Sequence, residues 1–115
     1  MIREKVIEKY LYTKVREYGG RAIKLTSSNL RGLPDRLCLF PGGLVVFVEV
    51  KAPGRKPSPK QTNMINILRK LGFYAVWLDG RPKVNALISL LEIKGLIVRP
   101  KRSLVRNVPQ KEDNE

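Results

Sequence analysis

The chain has 115 residues, enough for one domain with a modest core, and carries 23 Lys and Arg against 10 Asp and Glu, a formal net charge of +13. One cysteine and no histidine exclude an internal disulfide and remove the commonest zinc ligand and the usual general base, so any hydrolysis must rest on carboxylates, lysine and a hard cation. The basic residues spread along the chain and point to a polyphosphate partner. No apolar run approaches the roughly 18 residues of a membrane span, and Met1-Ile2-Arg3-Glu4-Lys5 is not a signal peptide, which together predict a cytoplasmic protein with no membrane partner.

Val6, Ile7, Tyr10, Leu11, Val15 and Tyr18 recur at spacings of three and four, predicting an amphipathic helix over residues 3–18 that Gly19-Gly20 ends. Arg21 to Thr26 is a short strand candidate, and Ser27-Ser28-Asn29 a loop. Pro34 then biases Leu33 toward extended geometry ahead of an apolar run, Asp35-Arg36-Leu37-Cys38-Leu39-Phe40. A second run, Leu44-Val45-Val46-Phe47-Val48-Glu49-Val50-Lys51, is apolar enough for a central strand, and Pro41-Gly42-Gly43 between the two reads as the turn of an antiparallel hairpin. Ala52 to Pro57 is a Pro/Gly/basic loop. Ser58 is an N-cap with Pro59 at the first helical position, opening a helix that buries Met64, Ile65, Leu68 and Leu71 before Gly72 stops it. Phe73 to Leu78 is another buried strand, Leu78-Asp79-Gly80 a turn, and Val84, Leu87, Ile88 and Leu91 line one face of a last helix. Leu96-Ile97-Val98 is a candidate extra strand. Residues 1–98 therefore read as one domain, with 99–115 a mixed basic and acidic tail expected to be mobile.

The chemistry gathers at one end of the hairpin. Asp35 starts its first strand and Glu49 ends its second, so the two carboxylates meet although they are distant in sequence, and strand alternation puts Lys51 on the same face as Glu49. A carboxylate on a buried strand is costly unless paired or bound to metal, so this is a candidate magnesium site with a lysine beside it. Around the approach to Asp35 stand Lys24, Ser27, Ser28, Arg31 and Arg36, and at the mouth Arg55, Lys56 and Lys60. All are candidate phosphate contacts, against the alternative of plain surface charge. Cys38 reads as a small core residue and not a reactive thiol.

Pro34-Asp35 followed by Glu49-Val50-Lys51 resembles the signature of the PD-(D/E)XK nucleases. Gly19-Gly20, Lys24, Arg31-Gly32-Leu33-Pro34-Asp35-Arg36, Pro41-Gly42-Gly43, Phe47 to Gly54 and Gln61 resemble, more narrowly, the small stand-alone VRR-NUC proteins of phages and bacteria. The resemblance covers roughly residues 3–80. It implies an α/β fold with a restriction-endonuclease-like core, a mixed β-sheet flanked by α-helices, which is also the predicted order of elements. It implies phosphodiester hydrolysis leaving a 5′-phosphate and a 3′-hydroxyl. Mg²⁺ or Mn²⁺ is then held by Asp35, Glu49 and the Val50 carbonyl, with Lys51 orienting water or stabilising charge on the phosphorane. It further implies a helix acid, for which Glu4 and Glu8 both remain candidates, one turn apart on one face, and a site-holding role for Gln61, which is otherwise an exposed helix polar residue.

The resemblance to archaeal Holliday junction resolvases in fold suggests a homodimer acting on branched DNA such as a four-way junction, since a small basic domain has little surface for reading bases. The alternatives are a flap, nick or general phage DNA nuclease, or a catalytically silent DNA-binding module. Against silence stands the intact trio of Asp35, Glu49 and Lys51, because carboxylates facing phosphates repel them without a metal.

Overall fold

The computed structural model describes residues 3–26 and 30–100. Helix α1 (Glu4–Glu17) leads into β1 (Arg21–Lys24), β2 (Arg36–Phe40) and β3 (Leu44–Val50), followed by α2 (Pro59–Lys70), β4 (Tyr74–Leu78) and α3 (Arg81–Ile93). The strands lie in the order β1-β2-β3-β4, with β1, β2 and β3 antiparallel and β4 parallel to β3. A parallel neighbour cannot be reached through a tight turn, and α2 is the crossover that makes the pairing possible. The mixed sheet flanked by helices is the α/β architecture expected from the sequence.

β3 is internal, and alternation along it supplies two cores. Val46, Val48 and Val50 point to the side covered by α1 and α3, among Ile7, Leu11, Val15, Val84, Leu87, Ile88 and Leu91. Phe47 points the other way, with Ala75 and Trp77 of β4, against Met64, Ile65 and Leu68 of α2. The first cover is tied together by hydrogen bonds that the Tyr10 hydroxyl donates to Asn85 Oδ1 (2.7 Å) and the Tyr18 hydroxyl to Glu92 Oε1 (3.2 Å).

Three apolar expectations are corrected by the chain's path. Leu71 does not join the core: it is the C-cap of α2, 68% exposed, because the chain turns back at once and the Phe73 N–H bonds the Leu68 carbonyl (3.0 Å). Val6 lies beside the buried stripe of α1 and is partly exposed. Leu96 to Val98 is not a strand; Ile97 plugs the α1–α3 core while Val98 faces solvent, and Arg99 then pairs with Glu17 (3.0 Å). Ser27, Ser28 and the tail from 101 onward lie outside the described residues. No helix among the described residues is long and apolar enough to cross a membrane.

The loop before β2 is locked to the start of α2 by Gly32. Its φ is +82°, and a Cβ there would stand 2.4 Å from the Lys60 carbonyl oxygen. Gly32→Ala is expected to cost at least about 2 kcal/mol in urea unfolding, from left-handed strain plus displacement of α2. Gly42→Ala, at φ +89° with open space around it, should cost about 1 kcal/mol, from strain alone. Equal losses would mean that the Gly32 contact gives way freely.

Candidate active site

The hairpin register pairs Arg36 with Val48, so Asp35 and Glu49 come opposite each other one step further on, at the open end. Both neighbouring strands fix Asp35. Its carbonyl accepts from the Leu25 N–H (2.8 Å), prolonging the β1–β2 pairing, and its Oδ1 accepts from the Val50 N–H (3.3 Å). Pro34, fully buried, holds the entry to the strand.

Glu49 is 4% exposed. Its Oε2 accepts from Gln61 Nε2 (3.0 Å) and pairs with Lys51 Nζ (3.4 Å). Its Oε1 is buried and has no hydrogen-bond partner among the described residues. Burial, and then the charge of Asp35, push the Glu49 carboxyl above the usual carboxylate range, with Lys51 acting against them.

Gln61 does two jobs at once. Its Oε1 accepts from the Ser58 N–H (2.8 Å) while its own N–H donates to Ser58 Oγ (3.2 Å), a capping box at the start of α2. With the amide oxygen occupied by the cap, the NH₂ end is the one presented to Glu49. The link from Ser58 through Gln61 to Glu49 is invisible in sequence, although the Ser-x-x-Gln spacing signals the cap itself.

α1 supplies the other acids. Oxygens of Glu4, Glu8 and Asp35 all lie within 4.8 Å of one another. Partial burial first, then Asp35 and Glu8, raise the Glu4 pKa, with Lys51 and Arg36 opposing. The structure therefore brings Glu4, Glu8 and Asp35 into one cluster and Asp35, Glu49, Lys51 and Gln61 into an adjoining one, with Asp35 common to both. Hard oxygen donors with an unused buried oxygen among them suit a divalent cation such as Mg²⁺ or Mn²⁺.

Arg36 is not where a phosphate contact must be. It shares the α1 side of β2 with Cys38 and Phe40 and is 2% exposed. Its Nη1 meets Asp35 Oδ2 (3.0 Å) and the Asp35 carbonyl (3.0 Å), its Nη2 pairs with Glu8, and its guanidinium lies 5.9 Å from the centre of the Tyr12 ring. Alternation along β2 puts Arg36 on the face of Cys38 and Phe40, and α1 lying over that face makes the position inward. Lys24, Arg31, Arg55, Lys56 and Lys60 are exposed, and the Gly32 contact sets the Arg31 loop against the backbone of Lys60. Cys38 is buried and its thiol is pushed up to about 12 by burial, fitting a core residue. Asp79, the residue after β4, forms an ion pair with Lys83 (3.2 Å).

A carboxyl whose pKa is raised by folding contributes stability below its unfolded value, near 4.5, and loses that contribution as pH rises through the folded value. In EDTA, Glu4→Gln and Glu49→Gln are therefore expected to raise the melting temperature at pH 7 by a few degrees. The gain over wild type should shrink toward zero as the pH falls below 4.5. A gain that grows on acidification would contradict the raised pKa of these groups.

No protein-family model matches the sequence. The chain is similar to "Putative nuclease p44" of Acyrthosiphon pisum secondary endosymbiont phage 1, with 47% identity over 81 residues, spanning 70% of this chain and 87% of the relative. It is also similar to a solved structure of a VRR_NUC domain, with a TM-score of 0.71 and 30% identity over 77% of this chain and 97% of that one. A relative this similar over most of its length, and a matching fold with the hairpin carboxylates in place, make the chain a member of the VRR-NUC nuclease family.

Proposed function

We propose that this nuclease is a metal-dependent DNA endonuclease acting on branched DNA such as four-way junctions, with residues 1–98 as its nuclease unit. The observation that carries the metal dependence is Glu49 Oε1, buried and without a partner among the described residues, on a carboxyl group that feels the charge of Asp35. A buried oxygen in that state is costly, and a cation relieves the cost. Asp35, Glu49 and the Val50 carbonyl would hold Mg²⁺ or Mn²⁺, with Glu4 as the acid from α1, since Glu8 is engaged by Arg36. When bound, such an ion polarises the scissile phosphate and lowers the pKa of water.

The chain's own residues do the rest. Gln61 and Lys51 hold Oε2 of Glu49, while the buried Oε1 has no partner among the described residues. Lys51, partly exposed, faces the substrate side, where its ammonium can orient water or offset charge on the phosphorane. Lys24, Arg31, Arg55, Lys56 and Lys60 bind flanking phosphates, and Ser27 and Ser28 belong to the same approach in sequence. Backbone contacts of this kind read shape and not bases, which favours a branched substrate. A homodimer, with two sites for two strands, is supported by uncovered apolar side chains on the last helix, Leu90 and Ile93.

The test is cleavage of a labelled four-way junction beside a matched linear duplex in Mg²⁺, Mn²⁺ or EDTA. Paired nicks near the branch point that need metal, with Asp35→Asn slower by roughly a hundredfold or more, are the expected result. Equal cutting of both DNAs would leave a general nuclease, preference for flaps or nicks would redirect the substrate, and binding without cutting in any metal would mean a silent module.

Gln61→Glu separates the helix cap from the site. Glu is as good a capping-box residue as Gln, so unfolding free energy should stay within about 1 kcal/mol of wild type. A second carboxylate against Glu49 should lower cleavage at least tenfold. Unchanged cleavage would reduce Gln61 to a cap.

A further inference from the structure

Arg36 stands out because the chemistry of the site does not call for it. It is a cation buried as deeply as the core, beside acids, on the side of the sheet away from α2. Its fork closes on two carboxylates from distant parts of the chain, Glu8 of α1 and Asp35 at the start of β2, and it also binds the Asp35 carbonyl at 3.0 Å. Its Nε, buried, has no partner among the described residues. A fork that used every donor for folding would not leave one idle; this one is set by the two acids. Glu4, Glu8 and Tyr12 follow one another at four-residue spacing along one stripe of α1, and the guanidinium packs against that stripe between Glu8 and the Tyr12 ring.

We infer that Arg36 is a positioning residue: a permanent internal cation that clamps Glu8 to Asp35 and so aims Asp35, with Glu4 alongside, before any divalent ion arrives. The inference rests on the metal-dependent reading above. Three carboxylates within 4.8 Å would spread apart or take up protons without a fixed opposite charge. Arg36 supplies that charge from behind. It occupies Glu8, so that Glu8 acts through Arg36 and Glu4 is the arm of α1 left free. A lysine in its place would keep the charge but lose the two-pronged geometry, since an ammonium is a point charge and cannot grip two carboxylates in one plane.

The experiment is Mn²⁺ binding by calorimetry, with the Mn²⁺ dependence of cleavage measured in parallel, on wild type, Arg36→Lys, Glu8→Gln and the double variant, each checked for folding by circular dichroism. Arg36→Lys is expected to weaken Mn²⁺ binding at least tenfold and to raise the Mn²⁺ concentration for half-maximal cleavage by a similar factor, with a smaller change in the rate at saturating metal. Glu8→Gln should also weaken binding, and adding Arg36→Lys to it should cost less than a further threefold, because the clamp has already lost one jaw. Arg36→Lys binding Mn²⁺ within threefold of wild type, or the two effects simply multiplying, overturns the inference and leaves Arg36 as core filling. Should Arg36→Lys not fold, Glu8→Gln decides, since it removes a part-exposed jaw without touching the core; Mn²⁺ binding unchanged in that variant overturns the clamp.

A wild type that binds no Mn²⁺ and cuts in EDTA overturns the metal reading separately. Urea unfolding of the same four proteins in EDTA then decides the clamp. Non-additive losses from Arg36→Lys and Glu8→Gln sustain it, and additive losses overturn it.

Discussion

Four carboxylates, Glu4, Glu8, Asp35 and Glu49, are gathered at one end of the β2–β3 hairpin, and the surrounding structure is organised around the repulsion among them. At the 4.8 Å that bounds the Glu4, Glu8 and Asp35 oxygens, one ionised pair at an effective dielectric of about 20 costs on the order of 3–4 kcal/mol. A domain of this size has only about 5–15 kcal/mol of stability in all. Arg36 on the α1 side, Lys51 at the end of β3 and the amide of Gln61 offset that cost. Even so, Glu4 and Glu49 remain reluctant to ionise, and one oxygen of Glu49 has no partner among the described residues.

The two cores divide this work between them. The α1 face of the sheet carries Glu4, Glu8 and Arg36, and the α2 face carries Gln61 with its cap. Asp35 belongs to both because it sits at the strand entry, where one side chain can bond across to the Val50 backbone and lie against Arg36. Sheet, first helix and crossover helix thus each contribute a rigid element to one point. The Gly32 contact with Lys60 adds the loop before β2 to the same assembly, so the basic residues on that loop and on α2 stand in fixed relation to the carboxylates.

Much of this was legible in sequence because it depends on local rules. Alternation set the hairpin and placed Asp35 opposite Glu49, and Ser58-Pro59 announced the start of α2. What could not be read depends on which helix covers which face. Arg36 looks like a surface cation beside a candidate metal-binding acid until α1 is known to lie over the same face as Cys38 and Phe40. Leu71 carries the right spacing for the core and fails because the chain reverses immediately after it. Leu96 to Val98 has strand composition, yet one residue of it, Ile97, is taken up as a plug between two helices. Between Glu4 and Glu8, too, the sequence offers no choice; a partner from β2 distinguishes them.

The site also poses an electrostatic problem at larger scale. A net charge of +13 draws any polyphosphate toward the protein, and Arg31, Arg55, Lys56 and Lys60 concentrate that attraction around the mouth. The centre of the same mouth is acidic, with two compensating cations that face inward or are already engaged with Glu49. Flanking phosphates would therefore be attracted while one over the centre would be repelled, unless positive charge were added there. Neutralising the carboxylates permanently would remove the resistance, but it would also remove the charged oxygen ligands with which the site could bind and orient a cation. Holding Asp35 from behind with Arg36, and Glu49 from the side with Gln61, keeps the two carboxyl groups close and leaves one buried oxygen of Glu49 without a partner among the described residues, and that combination distinguishes this hairpin from an ordinary ion-paired turn.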